Sequence, residues 1–399
     1  MKSSRFAGMP LLVSLVALAL SACGAGGFEP ASKIKGLRVL AIQKDRPYPH
    51  VDDGQINLKV LYWDGASTPD RPRNVSFNFL PCYNPPGDLY YNCFSDLTRG
   101  PGAGGPSSDA GAGGDVETDA GPDAAEGVDA AGSDAASSDA AGGSDAAESA
   151  DAPGPTDAAI DGATDAAPGG GGGLPPSDAD HIKTFSFPLE GDNLIRPKAP
   201  GITDYGLVYV LFTACAGHLE PTDPGSAGGL QLGCFDDARR RLGPDDFVPG
   251  YASLYAYREL RNANPIVDDF SFKGASFKDT FAAPDADVPH IARCTEGDRG
   301  NCPAFDLKLN VNRASAEIDP LSTDPNGAPL QEQIWVAFYS TDGDFTSSLR
   351  LVNDATRGWN DDNGTKFRAP PTPGAVRLFA VVHDNRGGVE WALGKVIVD

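Results

Sequence analysis

Residues 97–180 decide what the rest of the chain can build. They repeat Ser-Asp-Ala-Ala and its variants, and between positions 100 and 180 they hold seventeen Asp and Glu, no Lys or Arg, and little besides Ala, Gly, Ser, Pro and Thr. Side chains so small, and charged with one sign, bury too little apolar surface to offset the entropy of ordering the backbone, so the segment reads as disordered. The fold has to come from the residues on either side. The same segment carries most of the charge. With 55 acidic and 32 basic residues in 399, a net −23, removing those seventeen leaves the remainder only about six charges acidic. Such a balance gives no clustered basic face, and nucleic acid is not an expected partner. The Asp repeats lack the Gly-x-Gly-x-Asp spacing of a calcium-binding nonapeptide roll, and a spacer is the simpler account.

Both flanks read as strands. Residues 37–42 are apolar and β-branched; after a turn at 47–54, Ile56, Leu58, Val60 and Tyr62 alternate with polar Asn57 and Lys59, a period of two. Val75, Phe77 and Phe79 alternate with Ser76 and Asn78. Beyond the acidic segment Phe185, Phe187 and Leu189 share a face, and the unbroken apolar run 207–212 predicts a central strand buried on both sides. Residues 252–260 supply a further strand. Neither flank has enough strands to close a core alone, so the acidic segment is expected to interrupt one domain. Closing such a loop costs about (3/2)RT ln n, roughly 4 kcal/mol, which a domain tolerates.

Asn262-Ala263-Asn264-Pro265 reads as a boundary. Past it come residues 266–272, then Phe305, Leu307, Leu309 and Val311 in alternation with polar residues, then Ile334, Val336 and Phe338. The chain finishes as a hairpin of residues 376–382 and 389–398, turning at Asp384-Asn385-Arg386-Gly387-Gly388, where the glycines can take a positive φ. Short strands, 48 Gly, 34 Pro and almost no helical periodicity predict an all-β protein of two antiparallel sandwiches, residues 33–262 and 263–399, the first carrying the insertion at 97–180.

The amino terminus has a different character. Lys2 and Arg5 precede an apolar run, residues 9–20, which is the layout of a secretory signal and falls short of the ~20 residues that cross a bilayer. Leu20-Ser21-Ala22-Cys23 follows and resembles the bacterial lipobox. The resemblance implies a signal peptide of residues 1–22, a diacylglyceryl group on the Cys23 thiol, cleavage before it, acylation of the new amino terminus and a lipidated tether over 23–32. Two or more acyl chains anchor a protein stably at a membrane. Gly24, where an acidic residue would retain many lipoproteins at the inner membrane, points by the same resemblance to the outer membrane, at its periplasmic face or the cell surface.

With Cys23 lipidated, Cys82, Cys93, Cys215, Cys234, Cys294 and Cys302 remain, an even number that in an oxidising compartment reads as three disulfides. No C-x2-C pair favours zinc. Six cysteines allow fifteen connectivities, and sequence does not choose among them.

Of sites, the loop between Cys82 and Cys93 holds Tyr83, Tyr90 and Tyr91, a possible recognition surface or the plain rim of a disulfide loop. His50, His181, His218, His290 and His383 are scattered, and no nucleophile elbow, zinc helix, phosphate loop or dinucleotide fingerprint occurs, so no catalytic residue and no cofactor is assigned. Asp342-Gly343-Asp344 and Asn360-Asp361-Asp362-Asn363-Gly364 offer oxygen ligands of the kind calcium takes, but not in EF-hand register; Asx turns capping their own backbone are the plainer account, and no metal is assigned.

Taken together, the chain is similar to bacterial immunoglobulin-like or fibronectin-like modules, and more particularly to myxobacterial-type outer-membrane lipoproteins, with a lipobox, Ala/Asp/Gly-rich tracts and disulfide-bearing β-domains. The Cys…Trp…Cys spacing of antibody domains is absent, since Trp63 precedes Cys82. On an immunoglobulin-like assignment the strands ending at Cys82 and Cys215 are antiparallel neighbours, so their carboxyl ends lie about 25 Å apart, beyond the ~7 Å a disulfide spans. That leaves the local pairs Cys82–Cys93, Cys215–Cys234 and Cys294–Cys302. The resemblance carries no activity over. The expected function is a non-catalytic binding or structural module of the cell envelope, held to the membrane through Cys23, with a protein or glycan ligand. An envelope hydrolase with a loop-built site and a subunit of an envelope assembly are the alternatives.

If residues 100–180 are a dispensable insertion, replacing them with a short Gly/Ser loop leaves the thermal unfolding midpoint within a few degrees. A slight rise is expected, because the shorter loop costs less to close. Collapse of the fold on replacement would show that the segment packs.

Overall fold

The computed structural model describes residues 31–68, 70–93, 181–189, 191–222, 232–278, 280–295 and 301–399. The lipobox, the signal peptide and residues 97–180 therefore lie outside the described residues. The described part is all-β and belongs to one compact unit.

Strands of the first half are β1 (Leu37–Lys44), β2 (Gln55–Asp64), β3 (Ser76–Tyr83), β4 (Ile182–Pro188), β5 (Gly206–Cys215), β6 (His218–Pro221), β7 (Leu232–Phe235) and β8 (Phe247–Ala256). Two three-stranded sheets result, β1-β2-β4 and β3-β5-β8, with β6-β7 as a separate ribbon. Strands before and after the acidic segment pair directly: Ile56 lies opposite Phe187 and Phe79 opposite Phe212. Every residue of β5 is buried, as its continuous apolar run requires of a central strand. Strand β8 begins at Phe247, five residues before the expected start, because Val248 and Pro249 continue its pairing with β5.

The second half contributes β9 (Val267–Phe272), β10 (Ala275–Ser276), β11 (His290–Ile291), β12 (Ala304–Val311), β13 (Ile318–Thr323), β14 (Pro329–Gln331), β15 (Ile334–Ser340), β16 (Asp344–Phe345), β17 (Leu349–Asp354), β18 (Gly358–Trp359), β19 (Thr365–Arg368), β20 (Gly374–Asp384) and β21 (Val389–Val398). They form a five-stranded sheet β10-β9-β12-β19-β16, a six-stranded sheet β11-β21-β20-β15-β17-β18 and the ribbon β13-β14. All named strand pairs are antiparallel except β11 with β21. In the final turn Gly387 takes φ 86°, while Gly388 does not need the left-handed region.

Three cores join these sheets into four successive layers. Ile56, Leu58, Phe187, Val208, Val210 and Leu254 fill the space between β3-β5-β8 and β1-β2-β4. Leu40, Leu61 and Trp63 on the far side of β1-β2 meet Phe379, Val381, Val389 and Leu393 of β20-β21. Phe270, Phe272, Leu309, Phe338, Phe367 and Leu378 pack the six-stranded against the five-stranded sheet. Fully burying each such side chain contributes roughly 1.5–3 kcal/mol. Strand β2 records the arrangement along its own length. Asn57 and Lys59 keep one face wet, whereas from Val60 onward every residue is buried, because the six-stranded sheet covers the end that carries Leu61 and Trp63.

The stretch 262–265 is tied down on both sides. Asn262 is buried, its side-chain Oδ1 accepting from Arg386 Nη2 at 2.7 Å and its Nδ2 donating to the Asp384 carboxylate. Asn264 donates to the Lys44 carbonyl at 2.7 Å and accepts from the Val389 amide at 2.9 Å. The Arg386 guanidinium, 3% exposed, is shared between Glu332 and Glu317, the latter 2.7 Å from Nη2. Burial, reinforced by the Asp384 charge and opposed by Arg386, pushes the Glu332 carboxyl up to about 7. Burial lowers the nearby Lys44 ammonium to about 8.

A carboxyl whose folded pKa lies above its unfolded value binds a proton in the folded state that the unfolded chain releases. Stability then falls as pH rises from about 4.5 to about 7, by up to ~3 kcal/mol for this group. Glu332→Gln should make stability fall less between pH 5.5 and 7.5 in urea unfolding; what remains combines Asp384, whose carboxyl burial also raises, with His383, whose lowered pKa acts in the opposite sense below about pH 6.5. Parallel slopes in the two proteins would remove Glu332 from the account.

Candidate functional site

The outer face of β3-β5-β8, turned away from the first core, carries a cluster of tyrosines. Register puts Leu80, Cys82, Leu207, Tyr209, Leu211, Tyr251, Ser253 and Tyr255 on that one face: Cys82 lies opposite Tyr209, Tyr209 opposite Ser253, and Leu211 opposite Tyr251. An outer face this apolar needs cover, and the chain after β3 supplies part of it. Asn84, Gly87 and Asp88 all take positive φ (44°, 66° and 57°), which curls the segment back over the sheet. Only glycine enters that region freely, with Asn and Asp the next most tolerant. Asn84 is buried and bonded at both ends of its amide, to the Leu194 carbonyl and the Leu207 N–H.

The Cys82–Cys93 disulfide closes this loop, with Cys93 buried against Leu207, Tyr209 and Leu211. Asp88 clamps it from the side. Its carboxylate accepts from Lys198 Nζ at 2.7 Å and the Tyr205 hydroxyl at 2.8 Å, and its carbonyl accepts from the Tyr209 hydroxyl at 3.0 Å. Partial burial pushes this carboxyl up, but the bonds from Lys198 and Tyr205 outweigh it and hold the group below the usual carboxylate range. Burial, with Asp88 alongside, moves the Tyr205 phenol the other way, upward. The Lys198 ammonium also lies 3.9 Å above the Tyr205 ring, so this cation is engaged by both a carboxylate and an aromatic face.

The loop thereby sets Tyr90 on Tyr251, rings 4.6 Å apart and 16° from parallel, while Tyr209 meets Tyr251 edge-on at 5.5 Å and Tyr91 meets Tyr90 edge-on at 5.9 Å. Leu89, Tyr90, Tyr91 and Tyr251 remain 40–54% exposed. Of the three tyrosines singled out in the sequence, Tyr90 and Tyr91 belong to this surface and Tyr83 does not. Tyr83 points to the inner side, packs against the first core and donates to the Pro188 carbonyl at 2.6 Å. Tyr251 and Tyr209 were not singled out. The alternation Tyr251, Ser253, Tyr255 is their signal, and it becomes readable only once β8 is known to start at Phe247.

The remaining candidates are spread through the fold. Cys215 joins Cys234 and Cys294 joins Cys302. Cys82 and Cys215 sit at opposite ends of the antiparallel pair β3-β5, where Cys82 faces Tyr209 and Cys215 faces Ser76. The Asp and Asn loops do not converge: Asp342 pairs with Lys33 at 2.6 Å, Asp361 with Arg313 and Asp362 with Arg350 at 3.1 Å, and Asn360 accepts from the Asp362 N–H in its own turn. Among the described residues no three His, Cys, Asp or Glu side chains gather to hold a metal ion. His50 accepts from the Asp52 amide, His218 pairs with Asp237, His290 pairs with Asp399, and His181 lies against Trp63. His383 stacks on Trp335, and burial lowers its pKa to about 4, leaving it neutral near pH 7. No protein-family model matches the chain, and no curated protein matches its sequence.

Since the disulfide and Asp88 together seat the loop, Cys82→Ala/Cys93→Ala should cost about 3 kcal/mol on the chain-entropy account of a loop this short. It should also admit chymotrypsin after Tyr90 and Tyr91 in limited proteolysis. An unchanged midpoint and cleavage pattern would mean that the Asp88 bonds suffice alone.

Proposed function

We propose that the protein is an exported, lipid-anchored, non-catalytic binding module of the cell envelope, an outer-membrane lipoprotein of the myxobacterial type with immunoglobulin-like sandwiches. Its contact with the membrane is the lipid on Cys23, its partner is a protein or glycan, and nucleic acid is not among its ligands. The observation that carries the binding role is the tyrosine surface. A loop locked by a disulfide and three hydrogen bonds presents aromatic rings to solvent, where they remain about half exposed. Aromatic groups held rigidly in the open lose little further entropy when a ligand covers them. The charge balance outside residues 100–180 supports the exclusion of nucleic acid.

Anchoring is tested by Cys23→Ala. The variant should leave the membrane fraction for the soluble periplasm, or fail to mature, and should no longer incorporate labelled palmitate. Unchanged membrane association with no attached lipid would sink the reading.

A further inference from the structure

We propose that the tyrosine surface binds a neutral carbohydrate, with a pyranose face laid on the outer side of the Tyr90–Tyr251 stack. The inference rests on the binding-module reading above and names its ligand class. Size comes first. At 40–54% exposure, Leu89, Tyr90, Tyr91 and Tyr251 present on the order of 400 Å² together. A stable protein interface needs about 800 Å² from each partner, so this patch falls well short of one while matching a few sugar rings.

Charge narrows the ligand further. Beside the patch, Lys198 is committed to Asp88 and to the Tyr205 ring, and Asp88 is committed to Lys198 and Tyr205, with exposed Arg196 further along the same segment also acting on Asp88. Lys198 and Asp88 thus satisfy each other, and the exposed side chains of the patch itself, Leu89, Tyr90, Tyr91 and Tyr251, are uncharged. What the surface offers is the negative face of aromatic rings, to which the C–H bonds on one side of a pyranose present their positive ends. Ser253, half-buried between Tyr251 and Tyr255 on the same face, adds a hydroxyl for orientation. Shape separates sugar from the other neutral stacking ligand, a proline-rich peptide. Such peptides dock in grooves lined by aromatic rings. Here Tyr90 and Tyr251 are closed face to face at 4.6 Å, leaving no slot between those two rings for a proline ring to enter.

Isothermal titration of the full chain in detergent with cellohexaose, xylohexaose, maltohexaose and N-acetylchitohexaose tests this. At least one should bind with a Kd on the order of 1 mM or tighter, as a small contact area implies. Tyr90→Ala and Tyr251→Ala should each weaken it by about tenfold or more, and Tyr251→Phe, which keeps the ring face, should retain it. Unchanged thermal midpoints certify that the variants fold. No binding of any of the four at about 10 mM overturns the inference, as does binding that both alanine variants leave intact, or decaproline binding at these tyrosines in place of sugar. Failure here with anchoring through Cys23 intact removes the carbohydrate and leaves the anchored module; loss of anchoring strikes only that reading.

Discussion

Covering both faces of the two middle sheets is the requirement from which most of the molecule's order follows. Strand β2 has apolar residues on each side in its second half, so Val60 and Tyr62 must be covered from one direction and Leu61 and Trp63 from the other. Strand β20 is in the same position, with Leu378, Ala380 and Val382 facing one core and Phe379 and Val381 another. Neither sheet can be completed within its own half. Pulling them apart would expose Trp63, Phe281 and Phe379, whose rings meet at 5.5–5.8 Å. The Arg386 network sits beside this seam and plays a different part. Ion pairs taken from water return little net stability, whereas a buried charge left without its partner is costly. Hydrophobic contact therefore holds the halves together, and the network, through Asn262 and Asn264, penalises any register but this one.

What could be read from sequence follows the same division. Period-two alternation located β2, β12 and β15, since each of these has at least part of one face against a single core, while the Gly-bearing turn at 384–388 between two apolar runs located the last hairpin. The unbroken run of β5 marked a central strand. Reading fell short where a residue's neighbours come from distant segments. Asn262-Ala263-Asn264-Pro265 has the composition of a loose connection, yet Asn262 is buried because Arg386 and Asp384, more than a hundred residues later, satisfy its amide. The alternation of Leu61 with Trp63 signals a second buried face, but nothing local says that β20 and β21 cover it.

The candidate surface was legible in halves for a related reason. Tyr90 and Tyr91 stood out because they lie inside a short disulfide loop, and loop tyrosines are good candidates for recognition. Tyr83 belongs to the same loop in sequence but falls on the opposite face of β3 from Cys82, one residue away, as strand geometry demands. Tyr251 and Tyr209 come from strands that meet the loop only after β3, β5 and β8 align. The disulfide is the step that converts three separate segments into one surface, because Cys93 is buried against β5 and carries Tyr90 with it.

Where the tether would enter bears on whether that surface is free. Ser32 and Ile34 bond to Ser340 at the end of β15, through Ser340 N–H to the Ser32 carbonyl at 2.9 Å and Ile34 N–H to the Ser340 carbonyl at 2.8 Å, and Ile34 lies in the core between the middle sheets. With Cys23 lipidated as proposed, the nine steps from Cys23 to Ser32 span at most about 30 Å. Such a lipid would hold the body close to the bilayer by the seam between its second and third layers. The tyrosines face outward from the first layer, about one sheet spacing, ~10 Å, beyond the second. The point where the chain enters the fold and the tyrosine surface therefore belong to different layers, so the entering segment and the rings do not compete for the same sheet face.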